Sequence, residues 1–381
     1  MLLFAALLLC YSNGANDNFK GFVTVWGSNT LSYEQAIRWA TLTTVAGAIT
    51  GLYFAEALVA SFSGRGLVSD ALAGTAPFIL SVGFGAGLTV LLATLLGFPI
   101  STTHALIGGL VGVGLAAPTG IVNFGKLGQS FVLPLLVSPV LSLTLAGSIF
   151  YVVQRVFAKR APAADAIDAC LCEPAPAHAG LNGLNGVGVM AMPAMALPAM
   201  GLPWVGTQAS CDQAGAATLV SISTTRSAIL QKLHYLSAAA ICFARGMNDT
   251  PKLVALLLAA KITSITPSFW VVAAAMALGG LFNARKVATT MAKKIVPLTE
   301  TQGVAANLVT AFLVIFASKL GLPVSTTHVS VGSISGVGLA SGKIDLAELS
   351  KILMSWVITL PCAATIAALT MWLVSSLGKS A

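Results

Sequence analysis

The stretch that decides the fold of this chain occurs twice. Residues 97–116 read GFPISTTHALIGGLVGVGLA and residues 321–340 read GLPVSTTHVSVGSISGVGLA, so that twelve of twenty positions are identical at an offset of 224. A second motif repeats at an offset of 232, as Gly-Ala-Asn-Asp from residue 14 and Gly-Met-Asn-Asp from residue 246. Repetition on this scale indicates that the chain consists of two copies of one ancestral unit.

The composition excludes an ordinary soluble protein. Of the 381 residues, 56% are apolar and only 8% are charged, whereas soluble domains carry about 25% charged residues. The mean hydropathy is +0.90, and most of the outer surface must therefore face lipid. Apolar stretches without period-two alternation exclude a transmembrane barrel, so the spanning elements are helices. The net charge of +8 comes from dispersed bases, which gives no support for a nucleic-acid partner.

Ten apolar segments are suited to membrane helices, which need about 20 residues to span. They lie at residues 1–28, 36–60, 71–96, 98–117, 129–155, 232–261, 267–284, 300–320, 322–341 and 350–376. The sequence therefore predicts an all-α, polytopic membrane protein.

A change of composition divides the chain. Residues 1–156 form the predicted first repeat, with a broken helix at Gly-Ala-Asn-Asp, and residues 231–381 form the second. Residues 157–230 are rich in Ala, Pro, Gly and Met, and their prolines prevent a continuous helix, so we expect a linker. Basic residues flank this linker, which favours the cytoplasmic side of the membrane.

The P-[IV]-S-T-T-H motif lies between two apolar segments in each copy, which is typical of a re-entrant hairpin. Hydroxyl side chains then stand at a helix start, where free N–H groups and the helix dipole favour an anion. The residues concerned are Ser101, Thr102, Thr103, Ser325, Thr326 and Thr327. Helix capping by Ser and Thr is the alternative. Two copies in apolar surroundings favour a site for a tetrahedral oxyanion.

Each Gly-x-Asn-Asp motif places an acidic residue within a long apolar segment, where a charge costs about 2.5–3.5 kcal/mol. The preceding glycine loosens the helix into a turn, and the side chains there offer oxygen ligands for a small coupling cation. The residues concerned are Asn16, Asp17, Asn248 and Asp249. The alternative is that each Asp pairs with the lysine three residues later, Lys20 or Lys252. Both interpretations can hold together.

His104 and His328 follow the hydroxyl runs, where they would carry protons or hydrogen-bond the substrate. A histidine packed against a backbone carbonyl is the alternative. The sequence contains no nucleotide-binding loop, catalytic triad or zinc-protease motif. We therefore expect no enzymatic activity, no catalytic residue, no cofactor and no metal other than a bound sodium ion. An ion-gradient carrier fits better than a pump.

At these residues the sequence resembles the inorganic phosphate transporter (PiT) family of phosphate and sulfate permeases, in which both motifs are duplicated. The resemblance covers nearly the whole chain outside the linker. It implies two inverted repeats with two re-entrant hairpins, which carry phosphate, or in some members sulfate, with Na⁺ or H⁺. By position, it assigns the two S-T-T runs to the anion and the two Asn-Asp pairs to the coupling cation.

One departure from the family concerns the coupling ion. The family commonly continues G-A-N-D-x-x-N-A, whereas Lys20 and Lys252 stand in the place of that second Asn. An ammonium group there would occupy or oppose a sodium site while attracting the anion. We therefore hypothesise proton coupling or weak sodium dependence.

The expected function is symport of phosphate with H⁺ or Na⁺ by alternating access, across the inner or plasma membrane in a lipid bilayer. A sulfate permease of the same family and an anion-selective channel are the alternatives. Self-association into a homo-oligomer is left open by the sequence.

Overall fold

The computed structural model describes residues 1–54, 56–118, 121–158, 166–173, 204–206, 217–261 and 263–377. The chain divides into two units, of which one comprises Met1–Lys159 with Gln231–Ala381 and the other Arg160–Leu230. The regular structure described in the first unit, here called the membrane unit, is helical. This confirms the predicted all-α, polytopic class.

The ten predicted apolar segments each correspond to a helix of the membrane unit. The first copy contains α1 (Leu2–Asp17), α2 (Val23–Gly27), α3 (Tyr33–Phe54), α4 (Glu56–Phe62), α5 (Ala76–Leu96), α6 (Thr102–Ala116), α7 (Phe124–Lys126), a π-helical stretch (Leu127–Val132) and α8 (Leu133–Ala158). The second copy contains α9 (Arg226–Ala259), α10 (Ile265–Asn283), α11 (Arg285–Lys293), α12 (Glu300–Lys319), α13 (Thr326–Ser341) and α14 (Leu346–Leu377).

Length and composition single out the helices that can cross a membrane. Within the described residues five helices qualify, or six if α3 and α4, which are bent by 89° relative to one another, form one span. The two helices that begin with S-T-T-H are shorter, with 15 residues in α6 and 16 in α13, and a span needs about 20. The re-entrant hairpins stay a prediction with which these lengths agree.

The surface and the core of the membrane unit are both apolar. One buried cluster includes Phe78 and Leu110, and another includes Met291 and Ile334. Large apolar side chains also point outward, and Trp372, for example, is 64% exposed. Such a surface is suited to lipid.

Within Arg160–Leu230, the described residues form three strands and the first residues of α9. The strands are β1 (Ala166–Glu173), β2 (Trp204–Gly206) and β3 (Ala217–Thr225), which pair antiparallel in the order β2-β1-β3. These strands are not predicted by the Pro- and Gly-rich pattern, although β3 is rich in β-branched residues that favour strands. The role of this unit as a cytoplasmic linker stays a prediction.

Helices of the two copies pack in an exchanged arrangement. The last helix of the second copy, α14, packs on α5 and α6 of the first copy, while α8 of the first copy packs on α12 and α13 of the second. In the same way α1 packs on α10. The two copies are therefore interlocked within the membrane unit.

Glycine permits the closest of these crossings. A Cβ at Gly14 of α1 would overlap the carbonyl oxygen of Met276 in α10, and a Cβ at Gly246 of α9 would overlap that of Thr44 in α3. Gly14 and Gly246 are equivalent, and Thr44 and Met276 are separated by the same 232 residues. The same contact is made twice, as a pseudo-twofold arrangement requires.

The two Gly-x-Asn-Asp motifs differ in local structure. Helix α1 ends at Asp17, and a turn follows, as predicted. Helix α9 instead continues through Asp249, so the predicted turn at the second motif is wrong. Leu253 stands in the second copy where the first has Gly21, and Leu is a better helix former than Gly. Pro251 also lies within α9 and disfavours a helix interior, so packing as well as propensity keeps this helix continuous.

Candidate functional site

The helices α6 and α13 are capped by the first residue of their S-T-T-H runs. Ser101 Oγ accepts the backbone N–H of His104 at 3.1 Å, and Ser325 Oγ accepts that of His328 at 3.2 Å. The capping alternative therefore holds for both serines. An accepting hydroxyl keeps its own hydrogen to donate, so capping does not exclude a contact with an anion.

A threonine at the start of each of these helices donates a hydrogen bond to the loop that precedes the S-T-T run of the other copy. Thr103 Oγ1 donates to Val324 O at 3.4 Å, and Thr327 Oγ1 donates to Ile100 O at 2.7 Å. Each acceptor residue directly follows the proline of its motif. The N-termini of α6 and α13 therefore lie next to each other, and the positive ends of the two helix dipoles are in the same region.

Lys252 is buried beside this meeting point, with 2% of its side chain exposed. Its Nζ lies 3.2 Å from Asp249 Oδ1, 2.8 Å from Val324 O and 3.0 Å from Thr103 Oγ1. An ammonium group has three N–H donors. Each donor of Lys252 thus has one oxygen acceptor.

Lys20 has the same surroundings in the first copy. Its Nζ contacts Asp17 Oδ1 and Thr327 Oγ1 and lies 3.3 Å from Ile100 O. In both copies the threonine comes from the opposite copy. We call the two sets of oxygens the Asp17 cage (Asp17 Oδ1, Ile100 O, Thr327 Oγ1) and the Asp249 cage (Asp249 Oδ1, Val324 O, Thr103 Oγ1). The ion-pair alternative therefore holds for both aspartates.

The second oxygen of each carboxylate accepts a threonine hydroxyl, and that of Asp17 also accepts an amide N–H. Asp17 Oδ2 accepts from Asn13 Nδ2 and from Thr102 Oγ1, each at 3.0 Å. Asp249 Oδ2 accepts from Thr326 Oγ1 at 3.5 Å. The middle residue of each S-T-T run thus binds the aspartate of its own copy, while the third residue reaches across to the other copy.

Arg245 is the point at which the two copies differ most. It stands 232 residues after Asn13, in the equivalent position, and is fully buried. Its Nη2 donates to Asn13 Oδ1 at 2.6 Å, and its Nη1 donates to Asn18 Oδ1 at 3.1 Å. Its Nε lies 3.5 Å from Asp249 Oδ2. Where Asn13 gives Asp17 a neutral hydrogen-bond donor, Arg245 places a positive charge beside Asp249 without a hydrogen bond from Nε.

The buried charges at this place do not cancel. Among the residues that the structure describes, the buried Lys, Arg, Asp and Glu side chains are three cations and two carboxylates, namely Lys20, Lys252, Arg245, Asp17 and Asp249. One positive charge is left unmatched in apolar surroundings, where an isolated charge is costly. An anion bound at the two helix N-termini would neutralise it.

The two asparagines of the Asn-Asp pairs contact the residues that precede the S-T-T runs. Asn16 Nδ2 donates to Thr94 Oγ1 at 2.9 Å, and its Oδ1 accepts the N–H of Ile100 at 3.2 Å. In the second copy the direction is reversed, because Asn248 Oδ1 accepts from Ser318 Oγ at 3.1 Å and its Nδ2 donates to Val324 O at 3.3 Å. Both amides therefore position the loops that supply the cage carbonyls. Their role as direct cation ligands stays a prediction.

His104 and His328 lie edge to face, with ring centroids 4.5 Å apart, and His328 stacks on Trp356 at 3.8 Å. His104 Nδ1 and His328 Nε2 are buried and have no hydrogen-bond partner within the described ranges. Both residues line a mostly apolar cavity of about 670 Å³. His328 Nδ1 lies 3.3 Å from Leu135 O, so the carbonyl-packing alternative fits this residue. A role of either residue in charge tuning stays a prediction.

The structure brings the predicted threonines, aspartates and lysines together into one buried network, whereas the hydroxyls of Ser101 and Ser325 cap their own helices. Arg245, Asn13 and Asn18 belong to the same network and were missed by the sequence reasoning. Arg245 did carry a signal, because it is a lone arginine within the apolar segment 232–261. Within the part of the chain that the structure describes, no group of His, Cys, Asp and Glu side chains forms a metal centre.

Together the fold and the site define a class, that of polytopic helical membrane proteins with two interlocked copies around a buried, positively charged cluster. Comparison with known families is consistent with that class. A family model described as the phosphate transporter family matches residues 13–367. The chain belongs to this family, which confirms the resemblance drawn from its two duplicated motifs. Membership in a family of transporters also implies that the protein is not an enzyme.

Relatives match over almost the whole chain. A protein of Pyrococcus abyssi named as a phosphate permease is 29% identical over 417 aligned residues, covering 98% of each chain. Inorganic phosphate transporter 2-1, chloroplastic, of Arabidopsis thaliana is 28% identical over 98% of this chain and 72% of its own. A solved structure titled the sodium-dependent phosphate transporter superposes with a TM-score of 0.73 at 21% identity, covering 98% of both chains, and so shares the fold.

Proposed function

We propose that this chain is a secondary active transporter that moves inorganic phosphate across a membrane by alternating access, driven by a cation gradient. The observation that carries the proposal is the unmatched positive charge buried where α6 and α13 begin. Membership in the phosphate transporter family supports phosphate as the anion.

The donors around this charge suit a tetrahedral oxyanion. The first N–H groups of α6 and α13 have no acceptor within their own helices, and they start at the same place. Ser101 and Ser325 each have a hydroxyl hydrogen to donate. Rotation of Thr103 and Thr327 would exchange a backbone carbonyl for a phosphate oxygen. Donors related by a pseudo-twofold arrangement can then reach opposite edges of one tetrahedral ion.

Anion binding is coupled to cations through the lysine–aspartate pairs. Lys20 and Lys252 are bound to carboxylates, so a lysine that turns to phosphate leaves a buried aspartate without its partner. Breaking a buried pair in this way costs about 3–5 kcal/mol. A cation that compensates the carboxylate removes this cost, and the two ligands therefore favour each other's binding. Such a linkage is typical of a carrier rather than of an open channel.

The interlocked copies suit alternating access. Each copy contributes one S-T-T run and one Asn-Asp pair, and the two copies meet around the anion site. If the copies have inverted topology, as the resemblance implies, exchange of their conformations exposes the same site on either side of the membrane. Two states related by pseudo-symmetry are close in free energy, which permits reversible switching.

The test is uptake of labelled phosphate by the purified full chain in proteoliposomes, with a proton gradient, a sodium gradient or neither imposed. We expect saturable accumulation above equilibrium with a gradient and inhibition by unlabelled phosphate about ten-fold better than by sulfate. Uptake that never exceeds equilibrium would favour a channel. Equal inhibition by sulfate would favour a sulfate permease.

A matched pair of variants connects this assay to the site. Replacement of both Thr103 and Thr327 by Val should lower phosphate uptake about ten-fold or more, because two anion donors and one acceptor in each cage are lost. Thr144→Val is the control, because Thr144 is exposed on α8 and donates to Val140 O of its own helix at 2.9 Å. Equal uptake by both variants would contradict the proposed site.

A further inference from the structure

The two cages are made of the atoms that hold a small hard cation. Each contains one carboxylate oxygen, one backbone carbonyl and one threonine hydroxyl, and hard cations take oxygen ligands of these kinds. A protein with the same fold is titled a sodium-dependent transporter. Sodium is therefore the ion against which the cages of this chain should be tested.

A sodium ion does not fit the two cages of this chain, because a lysine ammonium group already fills each of them. The three cage oxygens at Asp249 surround Lys252 Nζ at 2.8–3.2 Å, which is the range of ordinary hydrogen bonds. The ammonium donors and the cage oxygens are therefore matched one to one. A sodium ion would need the volume that Nζ fills, or would stand beside a like charge at close range.

In both copies a lysine ammonium group fills the cage, although the backbone conformation at the lysine differs between the copies. Lys20 lies in the turn after α1, whereas Lys252 lies within the continuous helix α9. Both ammonium groups nevertheless contact the carboxylate of their own copy, the hairpin carbonyl of their own copy and the threonine of the other copy. Local backbone structure does not explain this agreement, because it differs between the copies. The cages themselves attract the positive charge.

From this geometry we infer that Lys20 and Lys252 are resident cations that fill both cages, so that transport by this chain does not use sodium. A tethered ammonium cannot diffuse away and has a high effective concentration at its cage. The gradient that drives accumulation is then that of protons. This inference rests on the proposed phosphate transport for its uptake test, but its binding test does not depend on transport.

The uptake test compares sodium chloride with choline chloride at the same proton gradient, using labelled phosphate and the full chain in proteoliposomes. We expect rates that agree within about two-fold, because no step needs sodium. A rate that falls about ten-fold or more in choline would overturn the inference. Absence of uptake in either salt would instead count against the proposed function, and the binding test would then decide about the lysines.

The binding test uses Lys20→Asn and Lys252→Asn, which restore the asparagine of the family pattern and leave a cage with a free carboxylate. Thermal unfolding of each purified protein is measured in sodium chloride and in choline chloride. We expect sodium to raise the melting temperature of these variants by several degrees and to leave the wild type unchanged, because a ligand stabilises only the state that binds it.

Lys351→Asn is the matched control, because the Lys351 side chain is 64% exposed and pairs with Glu348 at the surface. It should behave as the wild type does in both salts. A sodium-specific rise in the melting temperature of the wild type would overturn the inference, and this measurement stays decisive even if neither cage variant folds. Folded cage variants that show no response to sodium would overturn it as well.

Discussion

At the scale of single residues, the charge of the site depends on one difference between the copies. Asn13 and Arg245 occupy equivalent positions and contact each other at 2.6 Å. Asn13 donates to Asp17, while Arg245 lies 3.5 Å from Asp249. If both positions held Asn, the two lysines and two aspartates would cancel. Arg245 therefore supplies the unmatched positive charge that the proposed anion would neutralise.

Replacing Arg245 by Asn should weaken phosphate binding about ten-fold to a hundred-fold, because a hydrogen-bonded charge is worth about 1.5–3 kcal/mol. The effect should appear in the KM of phosphate uptake, and Arg245→Lys should recover part of it by restoring the charge. Arg38→Asn is the control, since Arg38 is exposed. An unchanged KM in folded Arg245→Asn protein would show that the charge does not serve the anion.

The sequence predicts most of the residues of the site but few of their contacts. The Asp17–Lys20 and Asp249–Lys252 pairs follow from a spacing of three residues, which any helix or turn brings together. The contact of Lys20 with Thr327 joins residues 307 positions apart. A repeat identifies equivalent residues but does not say whether a copy binds its own partner or that of the other copy, so these exchanged contacts require the structure.

At the scale of elements, hydropathy predicts the long helices and misses the breaks. The turn expected at both Asn-Asp pairs is present after Asp17 and absent after Asp249. The short helix α11 has basic residues at both ends and lies outside the predicted apolar segments. Both cases depend on local propensity and tertiary packing, which a count of apolar residues does not measure.

The helix crossings should be sensitive to a single methyl group. Gly14→Ala and Gly246→Ala would each place a Cβ against a backbone carbonyl of the neighbouring helix, and such overpacking costs about 1–3 kcal/mol. Both variants should lower the melting temperature in detergent by similar amounts, because their surroundings are equivalent. Gly128→Ala is the control, since a Cβ there meets nothing within 4 Å. Equal melting temperatures for all three would contradict the described packing.

At the scale of the whole molecule, the two copies depend on each other. The cages take a threonine from the opposite copy, and the helices α8 and α14 pack on α13 and α6 of the opposite copy, respectively. Neither copy alone can complete its core or give its buried lysine all three oxygen acceptors. The interlocked arrangement thus places the proposed anion site where the S-T-T runs of both copies meet.

Residues 1–159 and 231–381, expressed as separate chains, should therefore assemble with each other. Each chain alone should aggregate or be degraded, because it exposes the surfaces that the other covers. Co-expression and purification through a tag on one chain, followed by size-exclusion chromatography, would measure this. Two chains that are each monodisperse alone and do not co-purify would contradict the exchange of contacts.

The most direct measurement of the central claim is an experimental structure of the full chain with arsenate, a tetrahedral phosphate analogue with an anomalous signal. The account predicts one anomalous peak between the first turns of α6 and α13, within hydrogen-bond distance of Ser101 or Ser325 and of at least one of the two buried lysines. A peak elsewhere in the membrane unit, with none at these helix N-termini, would contradict it.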